Sequence, residues 1–362
     1  MPVIRPGLRV RRSARGRSAF APPSQIRDRL SDLPDFGANP GSLLARFYVP
    51  EGMKENAPLV VVLHGCTQNA AAYDHGAGWS RLADRHGFAL LYPEQQRANN
   101  PMLCFNWFSD GDTRRGEGEP ASIRAMIEAM RVRYGIDPAR IFVTGLSAGG
   151  AMASVMLAAY PEVFAAGAII AGVPYGCASD AAQAFECMAG RGRGGATRDL
   201  AARVRRASPH QGPWPRVQVW QGSADRTVAA SNADAIVRQW TGLHGLPAAP
   251  QRSDLVAGHP RRQWLDASGA LLVEQYEITG MAHGTPLDPG TDEGRSGEAG
   301  AHMLDVGLSS TDRIAAFFGI APAVEPPARR RARPRVEPTR PRPAGDVQAL
   351  IEDALRAAGL MR

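Results

Sequence analysis

An α/β fold, with a mostly parallel central sheet covered by helices on both faces, is what this 362-residue sequence predicts. Three observations lead there. Short apolar runs alternate with amphipathic, helix-length stretches over about 250 residues, the rhythm of parallel strands joined by crossover helices. Some of the runs are continuous rather than alternating, as in Leu59-Val60-Val61-Val62-Leu63, which suits a strand buried on both faces. Finally, Gly145-Leu146-Ser147-Ala148-Gly149 stands between one such run and a stretch of small apolar residues that reads as a helix. A serine on so tight a strand-to-helix turn projects its hydroxyl into the open, and small neighbours leave room for it.

Taken in order, residues 43–49 alternate and end at Pro50, a strand expected near the sheet edge. The run 59–63 is a central strand. Residues 69–86 carry helical spacing, with Ala72, Trp79, Leu82 and Ala83 on one face. Residues 88–92 form a strand stopped by Pro93, and 99–113 a loop dense in aromatics. Residues 120–134 form an amphipathic helix with Ile123, Met126, Ile127 and Met130 inward and Pro120 in its first turn. The strand 140–144 and helix 150–159 flank Ser147. A strand at 166–170, a basic helix at 197–206, a strand at 217–220 and a helix at 229–240 follow. Residues 245–260 read as irregular, 271–278 as the last clear strand, 284–300 as a Gly-rich acidic mobile loop, and 301–318 as the closing helix. No internal repeat is present.

The ends differ from this middle. The N-terminal 36 residues and the stretch 321–343 are rich in arginine, from Arg5 to Arg17 and from Arg329 to Arg342. They hold much of the net charge of +7. Such Pro/Arg-rich segments read as solvated and disordered, with weak binding to nucleic acid or anionic lipid as the sharper reading. No specific nucleic-acid module is visible. One domain over 37–320 is expected, with a short amphipathic helix within 344–362. No run of apolar residues is long enough for a membrane span, and no export leader is visible. Cys66, Cys104, Cys177 and Cys187 have no metal-like spacing, and their even number alone does not fix their redox state.

A serine nucleophile needs a base, an acid to orient it and donors for the oxyanion. On this kind of elbow the acid and then the histidine follow in chain order. Asp225, in Gln221-Gly222-Ser223-Ala224-Asp225, comes just after a strand, where parallel sheets deliver functional side chains. Its plainer reading is a turn or helix-capping residue. Asp234 falls within a helix, and Asp254 and Asp266 in the irregular stretch. His283, in Gly280-Met281-Ala282-His283-Gly284, follows the last strand. Its rivals are His302, expected in or at the start of a helix, His259 in the irregular stretch, and His64. The expected oxyanion donors are the N–H groups of Ala148 and of Cys66, in the loop His64-Gly65-Cys66-Thr67-Gln68, with His64 anchoring that loop. Trp107 reads either as core or as an aromatic wall for substrate. Tyr175 is a second candidate for the same pocket.

These segments, together with Tyr92-Pro93-Glu94-Gln95, Cys104-Phe105-Asn106-Trp107-Phe108, Ala171-Gly172-Val173-Pro174-Tyr175-Gly176 and Met303-Leu304-Asp305-Val306-Gly307, make residues 40–320 resemble the poly(3-hydroxybutyrate) depolymerase family of serine esterases, relatives of feruloyl and acetylxylan esterases. The resemblance implies an α/β-hydrolase fold and ester hydrolysis without metal or cofactor, with Ser147, Asp225 and His283 as the triad. It implies pairing of Cys66 with Cys104 and of Cys177 with Cys187. The implied substrate is an oligomeric or polymeric 3-hydroxyalkanoate. A feruloyl, acetylxylan or other small ester is the alternative, and an inactive binding module the alternative of another class. Many family members are secreted, whereas the missing leader leaves the cytoplasm as the other location.

Overall fold

The computed structural model of the protein describes residues 26–192, 197–289 and 297–323. Its elements, in chain order, are β1 (Ser31–Asp32), β2 (Leu44–Tyr48), β3 (Ala57–Leu63), α1 (Ala70–Ala77), α2 (Trp79–His86), β4 (Ala89–Glu94), α3 (Gly118–Tyr134), β5 (Ile136–Leu146) and α4 (Ala148–Ala159). There follow β6 (Ala166–Ile170), α5 (Ala181–Met188), α6 (Thr197–Ala207), β7 (Arg216–Gly222), α7 (Ser231–His244), β8 (Arg252–Val256), β9 (His259–Leu265), β10 (Leu271–Ile278), β11 (Thr285–Leu287), β12 (Met303–Asp305) and α8 (Ser310–Phe318). Ten strands form one sheet in the order β1-β2-β4-β3-β5-β6-β7-β10-β9-β8. From β4 to β10 the pairing is parallel, and both margins are antiparallel.

The continuous apolar runs occupy the middle of this sheet because both faces are covered. In β3, Leu59, Val61 and Leu63 pack with Ile123, Met126, Met152 and Trp240 on one face. Val60 and Val62 turn the other way, toward Trp79, Leu82, Phe142, Ile314 and Phe318. All five side chains are fully buried, each worth about 1.5–3 kcal/mol relative to exposure. Thus α3, α4, α6 and α7 cover one face, and α1, α2 and α8 the other.

Several expectations change. The stretch 69–86 is two helices rather than one. Asn69 caps α1 by accepting from the Ala72 N–H at 2.8 Å, and Gly78 at φ 76° turns the chain. Buried Asp74 holds the turn, accepting from the Ser80 N–H, the Ser80 hydroxyl and the Tyr92 hydroxyl. Residues 26–36 are part of the folded unit instead of the basic N-terminal segment. Leu30 and Leu33 are buried, and β1 pairs with β2, moving β2 one place in from the edge. The irregular stretch 245–260 contains β8, which pairs with β9 across Ala257 and Gly258. Both turn residues have positive φ, 51° and 86°, the twist that a two-residue hairpin needs.

The closing helix is shorter than expected. Only residues 310–318 are helical, with Ser309 capping α8 through the Asp312 N–H, while β12 ahead of it pairs with β11. Strand β11 likewise lies within the expected loop 284–300, of which residues 290–296 lie outside the described residues. The first 25 residues, the Pro/Arg-rich segment from 324 onward and the expected helix within 344–362 also lie outside them. Among the described residues, no helix is long and apolar enough to cross a membrane.

Candidate active site

Ser147 sits between the last residue of β5 and the first of α4, at φ 57° and ψ −118°. A non-glycine residue pays for such a conformation in strain, of about 1–3 kcal/mol. The surroundings hold it there. The Ser147 N–H donates to the Ile170 carbonyl at 2.9 Å, and its own carbonyl accepts from Ala151 at 2.8 Å. The flanking glycines are required by close approach. A Cβ on Gly149 would strike the Leu63 carbonyl oxygen, and one on Gly145 would strike Gly149 itself.

Asp225 lies in the loop after β7. Its side chain is fully buried. Oδ1 accepts from the N–H groups of Thr227 and Val228 at 2.8 and 2.9 Å. Oδ2 accepts from the Gln221 side-chain amide at 3.0 Å and lies 2.7 Å from Nδ1 of His283. A carboxylate accepts, so Nδ1 carries the imidazole hydrogen and Nε2 is left as the acceptor. The loops after β7 and β10 are joined to each other. Ser223 Oγ accepts from the Gly280 N–H at 2.8 Å, and the Ala224 N–H donates to the Met281 carbonyl at 3.0 Å. Ser147 and His283 line one small pocket with Gly65, Cys66, Gln68, Leu146, Thr227 and His302.

The loop after β3 carries Cys66. Among the described residues, neither the Cys66 nor the Ala148 N–H has a hydrogen-bond partner. Ala148 begins α4, where backbone donors are left over. Gln68 shapes the loop by accepting from the Gly65 N–H at 2.9 Å, and Thr67 ties it to Met102 at 2.7 Å. His64 is buried and accepts at Nε2 from the Gln95 N–H at 3.1 Å, while Nδ1 lies 2.8 Å from the Gly65 carbonyl. Burial pushes its pKa down to about 4, against the pull of that carbonyl, so it is a neutral anchor at neutral pH.

A second, apolar cleft opens on Ser147, with a cavity of about 40 Å³. Trp107 and Phe108 line it together with Ala181, Ala184, Phe185 and Met188 of α5. Two disulfides brace these walls. Cys66–Cys104 ties the loop after β3 to the aromatic loop, and Cys177–Cys187 closes the chain around α5. Tyr175 is not among the cleft's walls. Its hydroxyl donates to the Thr113 carbonyl at 3.3 Å, and its N–H donates to the Gln239 side chain at 3.0 Å.

Residue-by-residue reading missed three parts of this site. Gln221, quoted beside Asp225, orients it. Phe185 and Met188 look like any helix interior until α5 is placed against the cleft. His302, expected in or at the start of a helix, lies in the turn before β12 and lines the pocket of Ser147 and His283.

A serine on a strained strand-to-helix turn, with a carboxylate-held imidazole delivered by two later strand ends of the same sheet, defines the class: an α/β-hydrolase of the serine type. Comparison with known proteins narrows it. The family model described as "Esterase PHB depolymerase" matches residues 43–263. Poly(3-hydroxyalkanoate) depolymerase C of Paucimonas lemoignei is 49% identical over 295 residues, covering 80% of this chain and 70% of that one. An acetylxylan esterase of Coprinopsis cinerea is 33% identical over 264 residues, 71% of this chain and 69% of that one. Among solved structures, an acetyl xylan esterase from Aspergillus awamori superposes with a TM-score of 0.68 at 25% identity, over 81% of this chain and 99% of that one. The chain therefore belongs to the Esterase PHB depolymerase family and is a carboxylic-ester hydrolase.

Proposed function

We propose that Ser147, His283 and Asp225 hydrolyse the ester bonds of oligomeric or polymeric 3-hydroxyalkanoates through an acyl-enzyme. Ser147 Oγ attacks the ester carbonyl carbon while its proton passes to His283 Nε2. Asp225 keeps the Nδ1–H of His283 directed at itself and stabilises the imidazolium that forms. The carbonyl oxygen gains the displaced electron pair and is held by the N–H groups of Ala148 and Cys66. Collapse breaks the bond to the leaving alcohol, which takes the proton from His283. Water then attacks the acyl-enzyme by the same route and frees the acid.

The observation that carries the substrate reading is the apolar cleft opening on Ser147. Its aromatic and alkyl walls suit a chain with a short alkyl group on every unit, and the 49% identical relative is named a depolymerase of such polymers. Trp107 favours a second reading. A flat indole in the lining of the cleft also suits a phenolic acyl group, and the acetylxylan esterase relatives fit a small-ester substrate. Parallel assays on 3-hydroxybutyrate oligomers, polymer film, methyl ferulate and acetylated xylan decide between them. The reading expects the highest kcat/KM on the oligomers, and preference for ferulate or acetylxylan would overturn it. Ser147→Ala is expected to lose several orders of magnitude on every ester. If folded wild-type protein fails to react with a fluorophosphonate, the enzymatic assignment of Ser147 fails.

A further inference from the structure

Among the described residues, two pockets meet at Ser147, and one of the two includes His283. The apolar cleft has Ser147, Ala148 and Cys66 in its walls but not the imidazole. The smaller pocket has Ser147 and His283 together. The imidazole that protonates the leaving alcohol also deprotonates the water that later takes its place. The alcohol and the water therefore belong to the pocket that holds the imidazole, and the acyl group to the apolar cleft.

His302 is an imidazole in the wall of that smaller pocket with no part in the triad. Its ring lies edge-on to that of His283, with centroids 5.9 Å apart and planes at 77°. Its Nδ1 is 3.2 Å from the His283 carbonyl oxygen. A carbonyl only accepts, so Nδ1 donates to it and Nε2 is the ring nitrogen left for another partner. The backbone at His302 is held at φ 58°, a conformation rare for a non-glycine residue. It is fixed from both sides, by the Thr285 N–H on its carbonyl at 2.8 Å and by the pairing of β11 with β12. Gln68 shares the pocket, but its side-chain oxygen is engaged by the Gly65 N–H. Thr227 is the rival acceptor.

We propose that His302 positions the water that hydrolyses the acyl-enzyme, a role that rests on reading Ser147 as the nucleophile. Water brings two hydrogens. His283 Nε2 takes one, and His302 Nε2 accepts a hydrogen bond from the other, which turns an oxygen lone pair toward the acyl carbon. The new C–O bond forms as the proton moves to His283 and the carbonyl electron pair moves onto the oxyanion. Collapse then breaks the bond to Ser147 Oγ, and the proton passes from His283 to that oxygen. His302 is unchanged throughout.

Methanol separates this role from structural support, because it has a single hydroxyl hydrogen, which His283 takes. The test uses full-length protein and p-nitrophenyl butyrate with and without methanol. The variants are His302→Phe, which keeps a ring of similar size, and His302→Gly, which removes the ring and suits the positive φ. Both are expected to keep a burst of p-nitrophenol while the steady-state rate falls about tenfold, the loss of one hydrogen bond to the reacting water. The ratio of methyl butyrate to butyrate is expected to rise by the same factor. His302→Gln, with an acceptor amide oxygen, is expected to restore part of the ratio. An unchanged ratio with a uniform fall in rate and no burst would reduce His302 to support for the His283 loop and overturn the proposal. A ratio that moves in Thr227→Val and not in the His302 variants would also overturn it, by assigning the water to Thr227. Failure of the nucleophile reading is a separate outcome: wild-type protein would then not react with a fluorophosphonate.

Discussion

Asp225 shows how much of the proposed chemistry rests on single hydrogen bonds. Both of its oxygens face only donors: two backbone N–H groups at Oδ1, and an amide and the imidazole at Oδ2. An asparagine there fails in either orientation, because its NH₂ group must point at an N–H. Asp225→Asn is therefore expected to lower kcat by about three to four orders of magnitude with little change in KM, measured on a soluble p-nitrophenyl ester. The aspartate was legible in the sequence as a residue just past a strand. Gln221, its other side-chain partner, was not, because a glutamine near a strand end has no chemical signature until its amide is seen on the carboxylate.

At the scale of elements, the elbow is a packing problem. The turn from β5 into α4 works because α4 crosses the end of β3 with no side chain between them. Gly149→Ala would push a methyl group into the Leu63 carbonyl. It is expected to destabilise the protein by about 1–3 kcal/mol, the range for overpacking, and to lower activity by displacing Ser147. Denaturant midpoints and kcat measured together would check both. Parallel strands buried on both faces were legible as continuous apolar runs. The hairpin of β8 and β9 was not, since four of the five residues of β8 are exposed and no apolar alternation marks them. The break between α1 and α2 was hidden for another reason. Helical spacing continues across Gly78, and the buried Asp74 that enforces the turn finds its partner Tyr92 on β4.

For the whole molecule, a buried polar cluster joins α3 to the loop that carries Trp107. The Glu119 carboxyl accepts from the Gln95 side chain and from both the backbone and side chain of Asn106. Burial, and then the nearby Asp112, push its pKa up to about 8, while those hydrogen bonds oppose the shift. A carboxyl raised in the folded state holds a proton there that the unfolded chain has released. Its stabilising contribution is complete below the ordinary value of 4.5 and is lost as pH rises toward 8. His64 acts in the other direction. Its contribution is present above 6.5 and lost as pH falls toward 4. Between pH 6.5 and 8 only the glutamate slope remains of these two. Unfolding free energy is expected to fall there with a slope approaching about 1.4 kcal/mol per pH unit, and Glu119→Gln is expected to flatten it. Denaturant titrations at pH 6.5, 7.25 and 8 would measure the difference.

The sequence by itself determined the fold class and offered Ser147, Asp225 and His283 as a candidate triad. Those depend on local patterns: apolar runs, a glycine-flanked serine, and polar residues just past strands. Only the tertiary structure decided which face of α5 walls the cleft, which tautomer His283 adopts, and that His302 stands beside it. Residues 283 and 302 meet because β11 pairs with β12, two three-residue strands too short to leave a pattern. Their pairing comes from backbone hydrogen bonds between distant segments, which no local arrangement of side chains announces.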